Sequence, residues 1–188
     1  MHAEAARLQQ FADSSINVPE VLEKTDTYIT LADCGMQLDS FLRAQADPDV
    51  RVRLLKQAVR TIGPLHSKGL VHGRPKLKDM TLKGAADAST PTIYLLDLEE
   101  DPTAVMSARN AQARDVWLLL ASCAEFYEEP KAGLHKLIEV YRTTMAADLA
   151  PELRALARSR RIVRRLIEIL RLTDIRGSYW ATRVLQAV

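Results

Sequence analysis

The sequence predicts an α+β fold in which helix dominates. Three observations carry that expectation. Residues 50–66 place Val52, Leu55, Ala58, Val59 and Ile62 at helical spacing; the short runs 18–24, 27–33, 80–82 and 92–98 are rich in β-branched and aromatic residues; and everything after Thr103 reads as helix.

The elements follow in order. Residues 3–11 form an amphipathic helix with Ala6, Leu8 and Phe11 on or near one face, ended by Asp13-Ser14-Ser15. VPEVLEK and TYITLAD, separated by Thr25-Asp26, make a small hairpin with Pro19 at its edge or entry. Cys34-Gly35 breaks that run, MQLDSFLRAQ is a short helix, and Asp47-Pro48-Asp49 punctuates before the long helix, where Pro64 permits a bend near the last turn. A loop with Gly73 and Pro75 leads to Met80-Thr81-Leu82, and TIYLLDL follows the linker 84–91. The helical remainder divides into 107–126, 131–145, 151–172 and 179–187.

Composition narrows the class. A chain of 188 residues is long enough to bury a core, and a net charge of only +2 identifies no partner. Cys34 and Cys123 lack CxxC spacing, which argues against a disulfide framework or a thiolate metal site and makes a reducing cytoplasm the expected compartment. The longest apolar run, VWLLLASCA, is far shorter than the ~20 residues a membrane-spanning helix needs, and MHAEAARLQQF has no apolar signal-peptide core.

The chemistry concentrates in LHSKGLVHGRPKLKDMTL and IYLLDLEE. His72, Gly73, Arg74, Lys76 and Asp79 lie in a loop between a long helix and a strand, Asp97 ends the next strand, and Asp115-Val116-Trp117 opens an apolar helix. In that order the motifs resemble the protein kinase-like fold, most of all its bacterial lipopolysaccharide core sugar (Kdo/heptose) kinases and RIO-type kinases. His72, Gly73 and Lys76 match the family's catalytic loop; Asp79 stands where the family has a metal-binding Asn; Asp97 stands on its second metal ligand. The strand ending YITLADCG resembles the hinge that holds adenine, which includes Asp33, and EAARLQQF resembles the helix whose Glu, here Glu4, pairs with a nucleotide-site lysine.

That resemblance implies residues 1–35 as the remnant of an N-lobe and 36–188 as a helical C-lobe, with Mg²⁺ and ATP as cofactors. Asp79 and Asp97 would hold the metal, Lys76 would reach the phosphates, Glu4, Asp33 and Lys76 would serve the nucleotide, and Asp115 and His72 would support the loop. The sequence departs from the family in two ways. Arg74 occupies the catalytic Asp position, and a guanidinium accepts no proton at physiological pH. No GxGxxG occurs and no lysine lies upstream of Lys24, so the chain is expected either to be a degenerate member or to begin at an internal Met. Phosphotransfer is then weak or lost, and the alternative is a pseudokinase, a binding module for a protein partner or an anionic lipid.

Each feature also has an ordinary structural explanation. Asp79 and Asp97 suit turns, Asp115 a helix N-cap, and His72 a hydrogen-bonded core position. Zinc ligation by His66 and His72 lacks the usual spacing, and Cys123 reads as core. In the segment 151–172, Arg154, Arg158, Arg161 and Arg165 share a helical face. They make either an exposed basic face or a contact for anionic headgroups, a lipopolysaccharide precursor or the inner membrane surface. Nucleic acid is disfavoured, because no aromatic residue interleaves those arginines.

Overall fold

The structure, a computed structural model, describes residues 2–84, 91–145, 148–159 and 176–188. It is α+β and mostly helical, with two small antiparallel sheets. Helix α1 (His2–Asp13) turns its Ala5, Leu8 and Phe11 inward. Ala5, three residues before Leu8, takes the inward place that the sequence suggested for Ala6, which is exposed. Burying Leu8 and Phe11 anchors the helix by roughly 1.5–3 kcal/mol per side chain.

Strands β1 (Val21–Lys24) and β2 (Ile29–Leu31) pair as the expected hairpin, with a register shift between Val21 and Glu23. The next segment differs from expectation. Met36–Gln37 is not the start of a helix but strand β3, paired to β4 (Met80–Lys83), and helix α2 is only Leu38–Ala44. Gly35 permits this docking: its φ is +89°, and a Cβ there would stand 2.2 Å from the Leu82 carbonyl oxygen. Strand β5 (Thr92–Leu95) completes the three-stranded sheet in the order β3-β4-β5.

Helix α3 spans Pro48–Ser67. The Asp47 carboxylate caps it through the Asp49 and Val50 amides, so Pro48 is the first helical residue rather than a break before it. Helix α4 (Ala108–Cys123) is buried on several sides and packs against α7 (Arg176–Leu185), α6 (Ala150–Ser159) and, more lightly, α3 and α5 (Pro130–Thr144). The Trp117 indole donates to the Thr182 hydroxyl at 3.0 Å, fixing α4 to α7. One apolar cluster runs from Leu8 through α3 and the three-stranded sheet to Leu185. Among the described residues no helix is long and apolar enough to cross a membrane. The linker 85–90 and the region 160–175, which includes Arg161 and Arg165, lie outside the described residues.

Candidate functional site

Backbone polar groups in a buried loop need partners. The loop between α3 and β4 finds them on three side chains from two helices. Asp115 of α4, fully buried, accepts from the His72 amide at 2.7 Å through Oδ2 and from the Gly73 amide at 3.0 Å through Oδ1. Arg114, its neighbour, donates to the Gly73 carbonyl and to Glu100 Oε2 at 2.9 Å. Arg7 of α1 donates to the carbonyls of Val71, His72 (3.3 Å), Leu98 (2.8 Å) and Glu100. Arg7 and Arg114 thus lash the loop 71–74 to the segment that follows β5, while Asp115 holds the loop to α4.

Asp115 has a further partner. His66 Nε2 lies 3.3 Å from its Oδ2, and a carboxylate only accepts, so Nε2 carries the proton. Its Nδ1 lies 2.6 Å from the Tyr141 hydroxyl, which also reaches Met145 Sδ at 2.7 Å. The Gln112 amide nitrogen donates to the carbonyls of His66 and Leu70, closing the end of α3. His66 is therefore a buried link between α3, α4 and α5. Among the described residues no group of three His, Cys, Asp or Glu side chains converges as a metal would require.

His72 is wholly buried, and burial pushes its imidazole from 6.5 down to about 4 despite the attraction of Asp115. Its Nε2 has no hydrogen-bond partner. Gly73 adopts φ +102°, and a Cβ there would stand 2.3 Å from the Glu100 carbonyl oxygen.

Arg74 points back at the acids. Its Nη2 is 2.5 Å from Asp97 Oδ2 and its Nη1 is 3.6 Å from Glu100 Oε1. Asp97 holds φ +58°, a left-handed conformation seldom adopted outside glycine, Asn and Asp. Asp79, in the 3-10 turn Leu77–Asp79, is buried; its Oδ1 is 3.9 Å from the Lys78 ammonium and its Oδ2 has no hydrogen-bond partner. Burial pushes its carboxyl above the usual range, partly offset by Lys78, and the Asp97 charge adds to the rise. The backbone ties the two carboxylates' neighbourhoods together, since the Leu96 amide donates to the Asp79 carbonyl at 2.9 Å. Lys76 is half-buried and bears on Asp79 only through its charge.

The remaining expected residues lie apart or face other groups. The charges that Glu4 meets are Glu99 and Asp97 rather than a lysine; after burial, these like charges hold its carboxyl above the usual range. Asp33 is exposed, and its carboxylate accepts from the Gly35 amide at 2.8 Å, an ordinary Asx turn. Arg154 donates to the Val188 carbonyl at 2.9 Å, while Arg158 is exposed. Cys123 is core, with its thiol pushed up by burial. Arg7, Arg114 and Glu100 were not singled out from sequence. Two of them act on backbone carbonyls, which carry no residue-type signature, and only the opposite charges of Glu100 and Arg114 gave a signal.

No protein-family model matches the chain, and no curated protein matches it.

Proposed function

We propose that the chain is a kinase-like binding module, a pseudokinase, in which the loop between α3 and β4 holds structure together instead of transferring phosphate. The observation that supports this is the Arg74–Asp97 pair at 2.5 Å. Phosphoryl transfer needs positioned phosphates, a cation on the leaving oxygens and a carboxylate to orient the acceptor hydroxyl. At the third of these positions stands a guanidinium, which accepts no proton, and losing a general base removes typically ~10²–10⁴-fold. The same guanidinium engages the carboxylate that a Mg²⁺ ion would need, so Mg-ATP chemistry has neither its base nor a free Asp97.

A protein partner fits the exposed surface. The β1–β2 hairpin leaves Leu22 60% and Tyr28 48% exposed, apolar groups that nothing in the chain covers among the described residues. Among the described residues, an anionic surface, a lipopolysaccharide precursor or the inner membrane face draws support from Arg158 alone, since Arg154 is engaged by Val188.

Thermal denaturation with and without Mg-ATP, together with an assay for ADP, tests the reading. We expect no shift and no ADP. Ligand at 100 times its dissociation constant adds ~2.7 kcal/mol to stability, so a true nucleotide site would be visible. A saturable rise in melting temperature that disappears in Asp97→Ala would overturn the binding-module reading.

A further inference from the structure

We infer that the groove where α4, α5 and α7 meet binds an organic ammonium cation, held by the indole of Trp180 and the carboxylates of Glu128 and Glu129. The groove begins at Ala124, roughly 13 Å along the α4 axis from Asp115, so it is separate from the loop between α3 and β4.

Helix α4 runs into the 3-10 turn Ala124–Phe126, and α5 starts at Pro130. Two adjoining hollows of about 660 and 400 Å³ open at this corner, and Glu128, Pro130 and Trp180 line both. Space on that scale suits a small organic molecule, for which pockets run ~300–1,000 Å³. The walls are fixed by close packing. The Tyr127 ring lies so near Gly133 of α5 that a Cβ would not fit between them, and Gly177 brings α7 equally close to the Ala121 carbonyl of α4. Tyr179 sets the Trp180 indole edge to face, with ring centroids 5.0 Å apart and planes at 82°.

The lining selects for positive charge. Trp180 is half-buried, and among the described residues no Lys or Arg stands over its ring; Arg183 is taken by Tyr179, whose hydroxyl accepts from it at 2.7 Å. The negative face of an indole attracts a cation, more strongly when the pair is partly desolvated. Glu125 is held by Arg43 at 2.9 Å, but Glu128 and Glu129 make no ion pair among the described residues. Lys131 is the one Lys or Arg in the lining, so two carboxylates face one ammonium. The positive end of the α5 dipole is met by Glu129 itself at the N-cap position. Pro130 and Ala132 supply apolar surface for an alkyl chain. The Tyr127 hydroxyl is buried without a hydrogen-bond partner among the described residues, an unmatched polar atom of the kind a bound donor satisfies. An anion would meet the carboxylates, and a bare metal ion lacks converging ligands among the described residues. An ammonium with an aliphatic body answers both the aromatic face and the acids.

Four probes that share a butyl chain test this on the full chain at constant ionic strength: butylammonium, butyltrimethylammonium, 1-butanol and butyrate, each followed by titration calorimetry and tryptophan fluorescence. Both ammonium probes are expected to bind saturably, and the alcohol and the carboxylate at least about threefold more weakly. Trp180→Leu is expected to weaken ammonium binding by about threefold to thirtyfold. Glu128→Gln/Glu129→Gln is expected to weaken it by about threefold to tenfold with an unchanged melting curve, because both side chains are exposed. Butanol or butyrate binding as tightly as the ammonium probes overturns the inference. So does ammonium binding that neither variant weakens. Failure of both ammonium probes to bind overturns it too, even if a lysine-rich peptide binds. Should Trp180→Leu fail to fold, the glutamate variant decides alone: weaker ammonium binding supports the groove, and unchanged binding overturns it.

Discussion

The guanidinium of Arg7 donates to the carbonyl of Leu98 at 2.8 Å across 91 residues of sequence. The same group serves Val71, His72 and Glu100, so one side chain of the first helix organises both segments of the candidate site. Replacing Arg7 by Ala strands those carbonyls, and hydrogen bonds to charged groups contribute roughly 1.5–3 kcal/mol each without adding fully. Arg7→Ala is expected to lower unfolding stability in urea by about 2–4 kcal/mol. Arg7→Lys should recover only part of that loss, because an ammonium lacks the fork that spans four acceptors.

Asp115 is the second organiser, and its removal has a different signature. Asp115→Ala leaves the His72 and Gly73 amides and the His66 Nε2 proton without an acceptor inside the protein. At about 1–3 kcal/mol per buried unsatisfied group, a loss of at least about 3 kcal/mol is expected. Amide exchange at His72 and Gly73 checks the assignment: both should accelerate well beyond the global destabilisation.

His72 makes stability pH-dependent in a defined window. Its folded pKa of about 4 lies below the ordinary 6.5, so between those values the unfolded chain binds a proton that the folded chain refuses. Above pH 6.5 the group contributes nothing. Stability falls as pH drops from 6.5 towards 4, by up to about 3 kcal/mol. Glu4 and Asp79, whose carboxyls are raised, act with opposite sign, gaining stability as pH falls through their folded pKa values. Urea unfolding between pH 7 and pH 5 should therefore show a loss that His72→Gln removes. An unchanged slope in that variant would assign the acid sensitivity elsewhere.

How far the sequence revealed this arrangement depends on the kind of interaction. Helix α3 was legible because Val52, Leu55, Ala58, Val59 and Ile62 recur at helical spacing, and α4 because of its apolar run; their caps were not, since Asp47 read as a break and Asp115, which read as an N-cap, lies inside α4, whose cap is Ser107. The β1–β2 hairpin was legible from its β-branched content. Strand β3 was not, because two residues carry no period and their partner lies in β4, more than 40 residues on. The order of His72, Asp79, Asp97 and Asp115 pointed to one site, but the anion met by Arg74 was not predicted to be Asp97. Charge pairing across 23 residues depends on the pairing of β4 with β5, and no local rule encodes it.

Gly73 is expected to resist any side chain. Its positive φ and the Glu100 carbonyl 2.3 Å from an added Cβ act together, so Gly73→Ala must move either the loop or the segment after β5. Backbone strain of this kind costs of order 1–3 kcal/mol. The Arg74–Asp97 contact should loosen with it. Thermal denaturation measures the first effect. The second is visible as a change in the carboxyl chemical shift of Asp97.

Asp97 combines a strained backbone with an ion pair, and substitutions separate the two. The pair is partly exposed, with 36% of the Arg74 side chain and 27% of the Asp97 side chain in solvent, so it contributes only about 0–1 kcal/mol. The φ of +58° costs a non-glycine residue roughly 1–2 kcal/mol, less for Asp or Asn. Asp97→Asn should keep the conformation and lose little. Asp97→Gly loses the pair and gains unfolded-state entropy, but is relieved of strain, which leaves it within about 1 kcal/mol of wild type. Asp97→Ala loses the pair and fits the left-handed region worst, so it should be the least stable of the three, by about 1–2 kcal/mol. If Ala and Gly fell equally in chemical denaturation, the ion pair and not the backbone would govern stability at this position. The order Asn and Gly above Ala would mean that the left-handed backbone, and not the ion pair, governs stability at Asp97.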